Sequence, residues 1–125
     1  MADVLIVEDA LPFQRWLTRT IPLLLGDSET WVVGSAADAE GVLADATPEV
    51  FLLDLSIPSR EGDAMPSPDH GLSLLERCRA RYPQARIVVL SSHSDFRGAC
   101  LAAGADGFVG KDDADLVGKL RSALG

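Results

Sequence analysis

The chain has 125 residues, of which 24% are charged, and a formal net charge of −8. This length fits one domain and is enough to bury a core without disulfides. The acidic balance argues against non-specific binding to nucleic acid or to an anionic membrane. The imbalance lies in the first half, because residues 1–57 carry ten acids and two bases whereas residues 58–125 carry nine of each.

The chain shows no sign of export or membrane insertion. No apolar run approaches the roughly 18 residues of a membrane span, and the amino terminus lacks the basic region of a signal peptide. Cys78 and Cys100 are too few for a disulfide framework, and they fall in stretches typical of buried helix faces. We therefore expect a cytoplasmic protein that forms one domain over residues 1–125.

Short apolar runs alternate with amphipathic stretches from end to end. Strands are predicted at 4–7, 31–34, 50–53, 87–90 and 108–109. The first, third and fourth are near-continuous apolar runs, which is typical of strands buried on both faces of a parallel sheet. Helices are predicted after each strand: from Pro12 with Pro22 as a kink or end, over 39–46, from Asp69 to Pro83, from Ser94 to Gly104, and after Asp113. This alternation predicts an α/β, doubly wound fold.

One segment breaks the regular pattern. Residues 59–70 are mostly polar and contain Gly62, Pro66 and Pro68. Such a composition predicts a surface loop. We expect this loop to cover part of the adjacent site or to offer an extra partner contact.

Polar side chains follow four of the five strands. In open parallel sheets, ligands bind at the carboxyl ends of the strands, so these residues are expected to converge there: Glu8, Asp9, Asp54, Ser91, Ser92, His93 and Lys111. Clustered carboxylates repel one another unless a cation intervenes, and oxygen ligands of this kind suit Mg²⁺. With an ammonium nearby, such a site attracts a phosphoryl group, for which a carboxylate can be the nucleophile.

The chain resembles the receiver domain of bacterial two-component response regulators, most closely the subgroup that carries helix-turn-helix output domains and acts in transcription regulation. The resemblance is carried by four motifs: Val4-Leu-Ile-Val-Glu8-Asp9, Leu52-Leu-Asp54-Leu-Ser-Ile-Pro58, Val88-Val-Leu-Ser91-Ser92 and Gly104-Ala-Asp-Gly-Phe108-Val-Gly-Lys111. It implies a flavodoxin-like fold with a five-stranded parallel sheet in the order 2-1-3-4-5. It also implies a switch protein rather than an enzyme.

The resemblance assigns a role to each site residue. Asp54 corresponds to the phosphoacceptor, which is modified by a histidine kinase or a phosphotransfer protein. Asp9, Asp54 and the carbonyl of Ser56 correspond to Mg²⁺ ligands, and Glu8 acts through a metal-bound water. Lys111 corresponds to the lysine that pairs with Asp54 and then with the phosphoryl oxygens.

Two further residues correspond to the family's conformational switch. Ser91 matches the hydroxyl that binds the phosphoryl group, and Phe108 matches the aromatic residue whose rotamer follows phosphorylation. Phe108 lies on the face formed by the fourth helix, fifth strand and fifth helix, through which homodimers or output domains are expected to bind.

The sequence departs from the common pattern at three places. His70-Gly71-Leu72 fits the family's glycine after the acceptor better than Gly62 does, which implies a loop insertion around 59–70. Asp112 follows the lysine where many members have proline, and Pro22 interrupts the first helix, where kinases usually dock.

Alternative interpretations stay open at this point. Glu8 and Asp9 also fit a helix cap, Ser91 a plain strand end, and Phe108 a core residue. A pseudo-receiver that signals without phosphate is one alternative function. An aspartyl-phosphate phosphatase of the haloacid-dehalogenase type is another, although Ser56 stands where its second aspartate is required.

Overall fold

Five parallel strands form one sheet in the computed structural model, which describes residues 3–60, 62 and 65–125. The strand order is β2-β1-β3-β4-β5. The strands are β1 Val4–Val7, β2 Thr30–Val33, β3 Val50–Asp54, β4 Arg86–Ser91 and β5 Gly107–Gly110. The predicted doubly wound fold and its strand order are confirmed.

Helices cover both faces of this sheet. They are α1 Leu11–Leu25, α2 Ala36–Leu43, α3 Pro68–Arg81, α4 Arg97–Ala102 and α5 Leu116–Leu124, with a 3₁₀ turn over Ser94–Phe96. Leu17 of α1 and Leu120 of α5 are buried in one apolar cluster. Leu74 of α3 and Cys100 of α4 are buried in the other, on the opposite face. Within the part of the chain that is described, no helix is long and apolar enough to span a membrane.

The two cysteines behave as buried apolar side chains. Cys78 and Cys100 are free thiols in the same apolar cluster. Burial raises the pKa of the Cys78 thiol to about 11. The thiol therefore stays protonated at neutral pH and is a poor nucleophile.

The sheet order fixes where a ligand can bind. The chain winds from β1 outward to β2 and then returns to β3 on the other side of β1, so β1 and β3 are neighbours at the point where the strand order reverses. Val7 at the end of β1 is paired with Leu53 in β3. The next residues, Glu8 and Asp54, therefore lie side by side at the carboxyl edge, in the crevice where such folds bind ligands.

The first helix runs further than its sequence predicts. It continues through Pro22 and ends at Leu25. Pro22 lacks the N–H for one helical hydrogen bond, but Leu24 and Leu25 pack against the apolar cluster and hold the last turn in place. Gly26, with φ of 78°, closes the helix by donating its N–H to the carbonyl of Pro22.

The second helix is shifted relative to the prediction. It begins at Ala36 rather than at residue 39 and ends at Leu43. Ser35 explains the early start, because its hydroxyl accepts a hydrogen bond from the N–H of Asp38 and so satisfies a donor at the helix terminus.

The predicted loop is shorter than expected, since α3 already begins at Pro68. The prediction of a loop over 59–70 is therefore wrong for residues 68–70. Ser67 caps the helix by accepting from the N–H of Asp69, and a proline fits the first helical turn.

The segment before α3 is tied to the body of the domain at both ends. Ile57 and Ser67 form an antiparallel bridge that closes its base. The carbonyls of Pro58 and Ser59 accept from two N–H groups at the start of α2. Residues 61, 63 and 64 lie outside the described residues, and the role expected for the segment stays a prediction.

Candidate functional site

Three carboxylates meet where β1 and β3 end. Glu8, Asp9 and Asp54 each offer one oxygen, and these three oxygens lie within 4.8 Å of one another. Glu8 and Asp54 are only 1% and 5% exposed, whereas Asp9 is open to solvent. The structure thus brings together the acidic residues that the sequence singled out.

Backbone contacts hold this acidic cluster in place. The N–H of Glu8 donates to the carbonyl of Val33 at 2.9 Å, which extends the pairing of β1 with β2 by one residue. The N–H of Ala10 donates to Glu8 Oε2 at 3.1 Å, and the Gln14 side-chain amide donates to the Glu8 carbonyl. The N–H of Ser56 donates to Asp54 Oδ1 at 3.3 Å. The carboxylates are therefore oriented by strand ends and by the first turn of α1.

Lys111 supplies the positive charge of the site. Its Nζ lies 2.5 Å from Glu8 Oε1 and 3.0 Å from Asp54 Oδ2. Its backbone N–H donates to the Ser91 carbonyl at 2.9 Å, which fixes the residue beyond the end of β5. The ammonium also lies 4.7 Å from the centroid of the Phe13 ring.

The protonation of these groups reflects burial and close charges. Burial raises the pKa of Glu8, and the hydrogen bond and charge of Asp54 raise it further, against the opposing effect of Lys111. Burial and the charge of Glu8 raise the pKa of Asp9. Burial lowers the pKa of Lys111, but the two carboxylates outweigh it and hold that pKa above its usual value. At neutral pH the ammonium is therefore charged and faces carboxylates that are costly to ionise together.

The cluster has the chemistry of a divalent-cation site. Its donors are carboxylate oxygens, which hard cations such as Mg²⁺ prefer. Two of the three carboxylates are buried and one faces solvent, so a cation here keeps water on its open side. The raised pKa values of Glu8 and Asp9 have the same implication, because burial and the charge of a neighbouring carboxylate make both ionised forms costly, and a second positive charge would offset that cost.

Ser91 and Phe108 lie on the two strands at the other side of Asp54. Ser91 is 1% exposed at the end of β4, and its Oγ accepts from the N–H of His93 at 2.9 Å. Phe108 in β5 is paired with Val89 and is half-buried against the apolar cluster. Arg97 of α4 donates to the Phe108 carbonyl at 3.2 Å, and its guanidinium lies 6.0 Å from the centroid of the ring.

A polar pair bridges the mouth of the site. His93 Nε2 lies 3.1 Å from Ser56 Oγ, and this contact links the segments that follow β3 and β4. Sequence reasoning placed both residues near the site but did not pair them, since the contact joins residues 37 positions apart.

Three residues at or near the site were not identified from sequence. Phe13 was assigned to the core stripe of α1, and neither Gln14 nor Arg97 was considered. One sequence signal points to Phe13 and Gln14. Because α1 begins at Leu11, two residues after Asp9, both residues lie in its first turn, close to the carboxyl edge of the sheet.

Residues 4–121 match the model of the response regulator receiver domain family. The chain is also 31% identical over 99 residues to the Detocs response regulatory protein DtcB of Vibrio alginolyticus. That match covers 74% of this chain and 66% of the relative, which is slightly less than two-thirds of its length.

Solved structures share the same fold at low sequence identity. A CheY-like receiver domain protein from Methanospirillum hungatei has a TM-score of 0.78 at 19% identity, with 99% of this chain and 94% of that chain covered. A LuxR-family two-component response regulator from Aurantimonas has a TM-score of 0.78 at 24% identity, with 99% and 85% covered. Given the family match over almost its whole length, the chain belongs to the response regulator receiver domain family.

Proposed function

We propose that this domain accepts a phosphoryl group on Asp54 in the presence of Mg²⁺ and passes the signal on by a change of conformation. One observation carries the proposal: the nearly buried Asp54 carboxylate lies between an acidic cluster and the Lys111 ammonium. A carboxylate in that position has positive charge available on two sides once a cation is bound. The donor is a histidine kinase or a phosphotransfer protein, the partners that the family implies.

The chemistry is a displacement at phosphorus. An Asp54 carboxylate oxygen forms a bond to the phosphorus, the bond from phosphorus to the donor breaks, and the donor leaves with that electron pair. Asp9, Asp54 and the Ser56 carbonyl would hold Mg²⁺ directly and Glu8 would hold it through a water. The bound ion would neutralise charge on the phosphoryl oxygens. Lys111 pairs with Asp54 at 3.0 Å before transfer and is close enough to pair with a phosphoryl oxygen afterwards.

The readout involves Ser91 and Phe108. A phosphoryl group adds charge and three strong acceptor oxygens, so the Ser91 hydroxyl gains a partner and moves toward it. The Phe108 ring moves into the space that the Ser91 hydroxyl leaves, and the face formed by α4, β5 and α5 changes shape. That face is then available for an output domain, a partner or a second copy of the chain.

A similar solved structure supports this assignment. The response regulator protein from Burkholderia pseudomallei, 21% identical to this chain, contains a phosphorylated aspartic acid and a calcium ion. An aspartyl phosphate is the product that Asp54 would form here.

The test is intact-mass measurement of the protein after incubation with acetyl phosphate. We expect a gain of one phosphoryl group that requires Mg²⁺ and does not occur when EDTA is present from the start of the incubation. Asp54→Asn, which keeps the shape of the side chain but removes the nucleophile, should show no gain. Absence of the gain in a folded wild-type chain contradicts the proposal and favours an interaction module that works without phosphate.

A further inference from the structure

The Lys111 ammonium is held by three groups, and one of them is uncharged. Two are the carboxylates of Glu8 and Asp54. The third is the ring of Phe13, whose centroid lies 4.7 Å from Nζ. This distance is well inside the roughly 6 Å range in which a cation is attracted to the face of an aromatic ring.

The ring itself is firmly placed. Phe13 lies in the first turn of α1, which is tied to Glu8 through the N–H of Ala10 and the side chain of Gln14. The Phe13 ring also packs against Trp16, with 5.5 Å between the ring centroids. The same turn of helix therefore fixes both the ring and one of the carboxylates that bind Lys111.

We propose that Phe13 is a positioning residue for Lys111, an inference that rests on the proposed function of the site. Both carboxylates that hold the ammonium belong to the cluster that would bind Mg²⁺, so a bound cation competes with Lys111 for them. An aromatic face is not a ligand for a hard divalent cation. The ring therefore continues to hold the ammonium beside Asp54 when the carboxylates are engaged, where it can meet an incoming phosphoryl oxygen.

Two substitutions distinguish the effect of the aromatic ring of Phe13 from the effect of its size. Phe13→Leu keeps an apolar side chain but removes the aromatic face, whereas Phe13→Tyr keeps the face. At saturating Mg²⁺ and acetyl phosphate, we expect Phe13→Leu to lower the phosphorylation rate of Asp54 by about 3- to 10-fold, the range expected for one partly buried cation–π contact. Phe13→Tyr should retain most of the rate, and Leu11→Ala, an exposed residue of the same helical turn, should leave it unchanged.

A spectroscopic measurement shows whether the effect passes through Lys111. The ring should shift the proton resonances of the Lys111 Cε methylene upfield, both without metal and with Mg²⁺ bound. This shift should persist in Phe13→Tyr and disappear in Phe13→Leu. In a Lys111→Met background, Phe13→Leu should cause no further loss of phosphorylation rate.

The outcomes distinguish this inference from the proposed function. If the wild-type chain takes no phosphoryl group, the proposed function fails. If it is phosphorylated but Phe13→Leu matches the wild type, only the role of Phe13 is overturned. The role of Phe13 is also overturned if Phe13→Tyr lowers the phosphorylation rate as much as Phe13→Leu does. It is likewise overturned if Phe13→Leu lowers that rate by the same factor in the Lys111→Met background.

Discussion

Glu8 is a carboxylate that the fold buries almost completely, at 1% exposure, beside a second buried carboxylate. Burial and the Asp54 charge raise the pKa of Glu8 in the folded chain. Its ionised form is thus less favourable in the folded chain than in the unfolded one. The protonated side chain contributes stability that is complete below the unfolded pKa and is lost as pH rises through the folded pKa. At neutral pH, which lies above the unfolded pKa, Glu8 therefore lowers the stability of the domain.

We predict that Glu8→Gln stabilises the metal-free domain at neutral pH. Glutamine keeps the shape of the side chain and carries no charge, and its one carbonyl oxygen can accept from either the Ala10 N–H or the Lys111 ammonium. The free energy of unfolding should rise by about 0.5–2 kcal/mol, the usual gain when a costly functional residue is replaced. Urea unfolding in EDTA at pH 7 measures this gain.

The pH dependence supplies the control for Glu8. Below about pH 3, the wild-type side chain is protonated in both states, so the advantage of the variant should disappear. Glu76→Gln on the exposed face of α3 should change stability by less than about 0.5 kcal/mol at either pH. A Glu8→Gln variant that is less stable than the wild type at pH 7 would show that the Lys111 ion pair outweighs the cost of burial.

At the scale of elements, one glycine decides how α3 joins the sheet. The N–H of Gly71 donates to the Leu55 carbonyl, one residue beyond β3. A Cβ at Gly71 would lie 2.3 Å from the Cα of Leu55, closer than any real contact. Around Gly62, in contrast, none of the described residues lies within 4 Å of an added Cβ, and its φ is positive at 89°, as expected for a turn. Gly71 is therefore the glycine that the close helix–strand approach requires, which supports the sequence interpretation of His70-Gly71-Leu72.

We predict that Gly71→Ala destabilises the domain by about 1–3 kcal/mol, because the backbones of β3 and α3 must separate to admit the methyl group. The matched control is Gly41→Ala in α2, where nothing in the described part of the chain lies within 4 Å of the added Cβ. That substitution should stabilise the domain by about 0.5–1 kcal/mol through the better helix propensity of alanine. Urea denaturation midpoints test both, and equal effects of the two substitutions would contradict the packing argument.

Sequence patterns predicted the elements better than their ends. The buried strands were recognisable because both faces of β1, β3 and β4 are apolar. The continuation of α1 past Pro22 was not recognisable from the sequence, since partial burial of Leu24 and Leu25 compensates for the missing hydrogen bond. The site residues followed from strand ends and a family resemblance, whereas the Phe13–Lys111 contact depends on the angle between α1 and the sheet, which no local pattern encodes.

At the scale of the whole molecule, part of the excess negative charge of the chain is gathered at the site, where the fold must accommodate it. The first half of the chain carries the entire net charge of −8, and three of its acids converge at the ends of β1 and β3. Lys111 from the far end of the sheet neutralises only part of that cluster. A cation that binds the folded chain and not the unfolded one would stabilise the whole domain by mass action.

We predict that Mg²⁺ raises the stability of the domain with the logarithm of its concentration, once that concentration exceeds the dissociation constant of the site. At a concentration 100 times its dissociation constant, the gain should be about 2.7 kcal/mol, which corresponds to a rise in Tm of several degrees for a domain of this size. EDTA should reverse the rise, and NaCl at equal ionic strength should not reproduce it. A variant carrying both Asp9→Asn and Asp54→Asn should lose the Mg²⁺ effect. If Mg²⁺ stabilises this variant as much as the wild type, the ion acts by screening the acidic surface, and Asp9 and Asp54 are not its ligands.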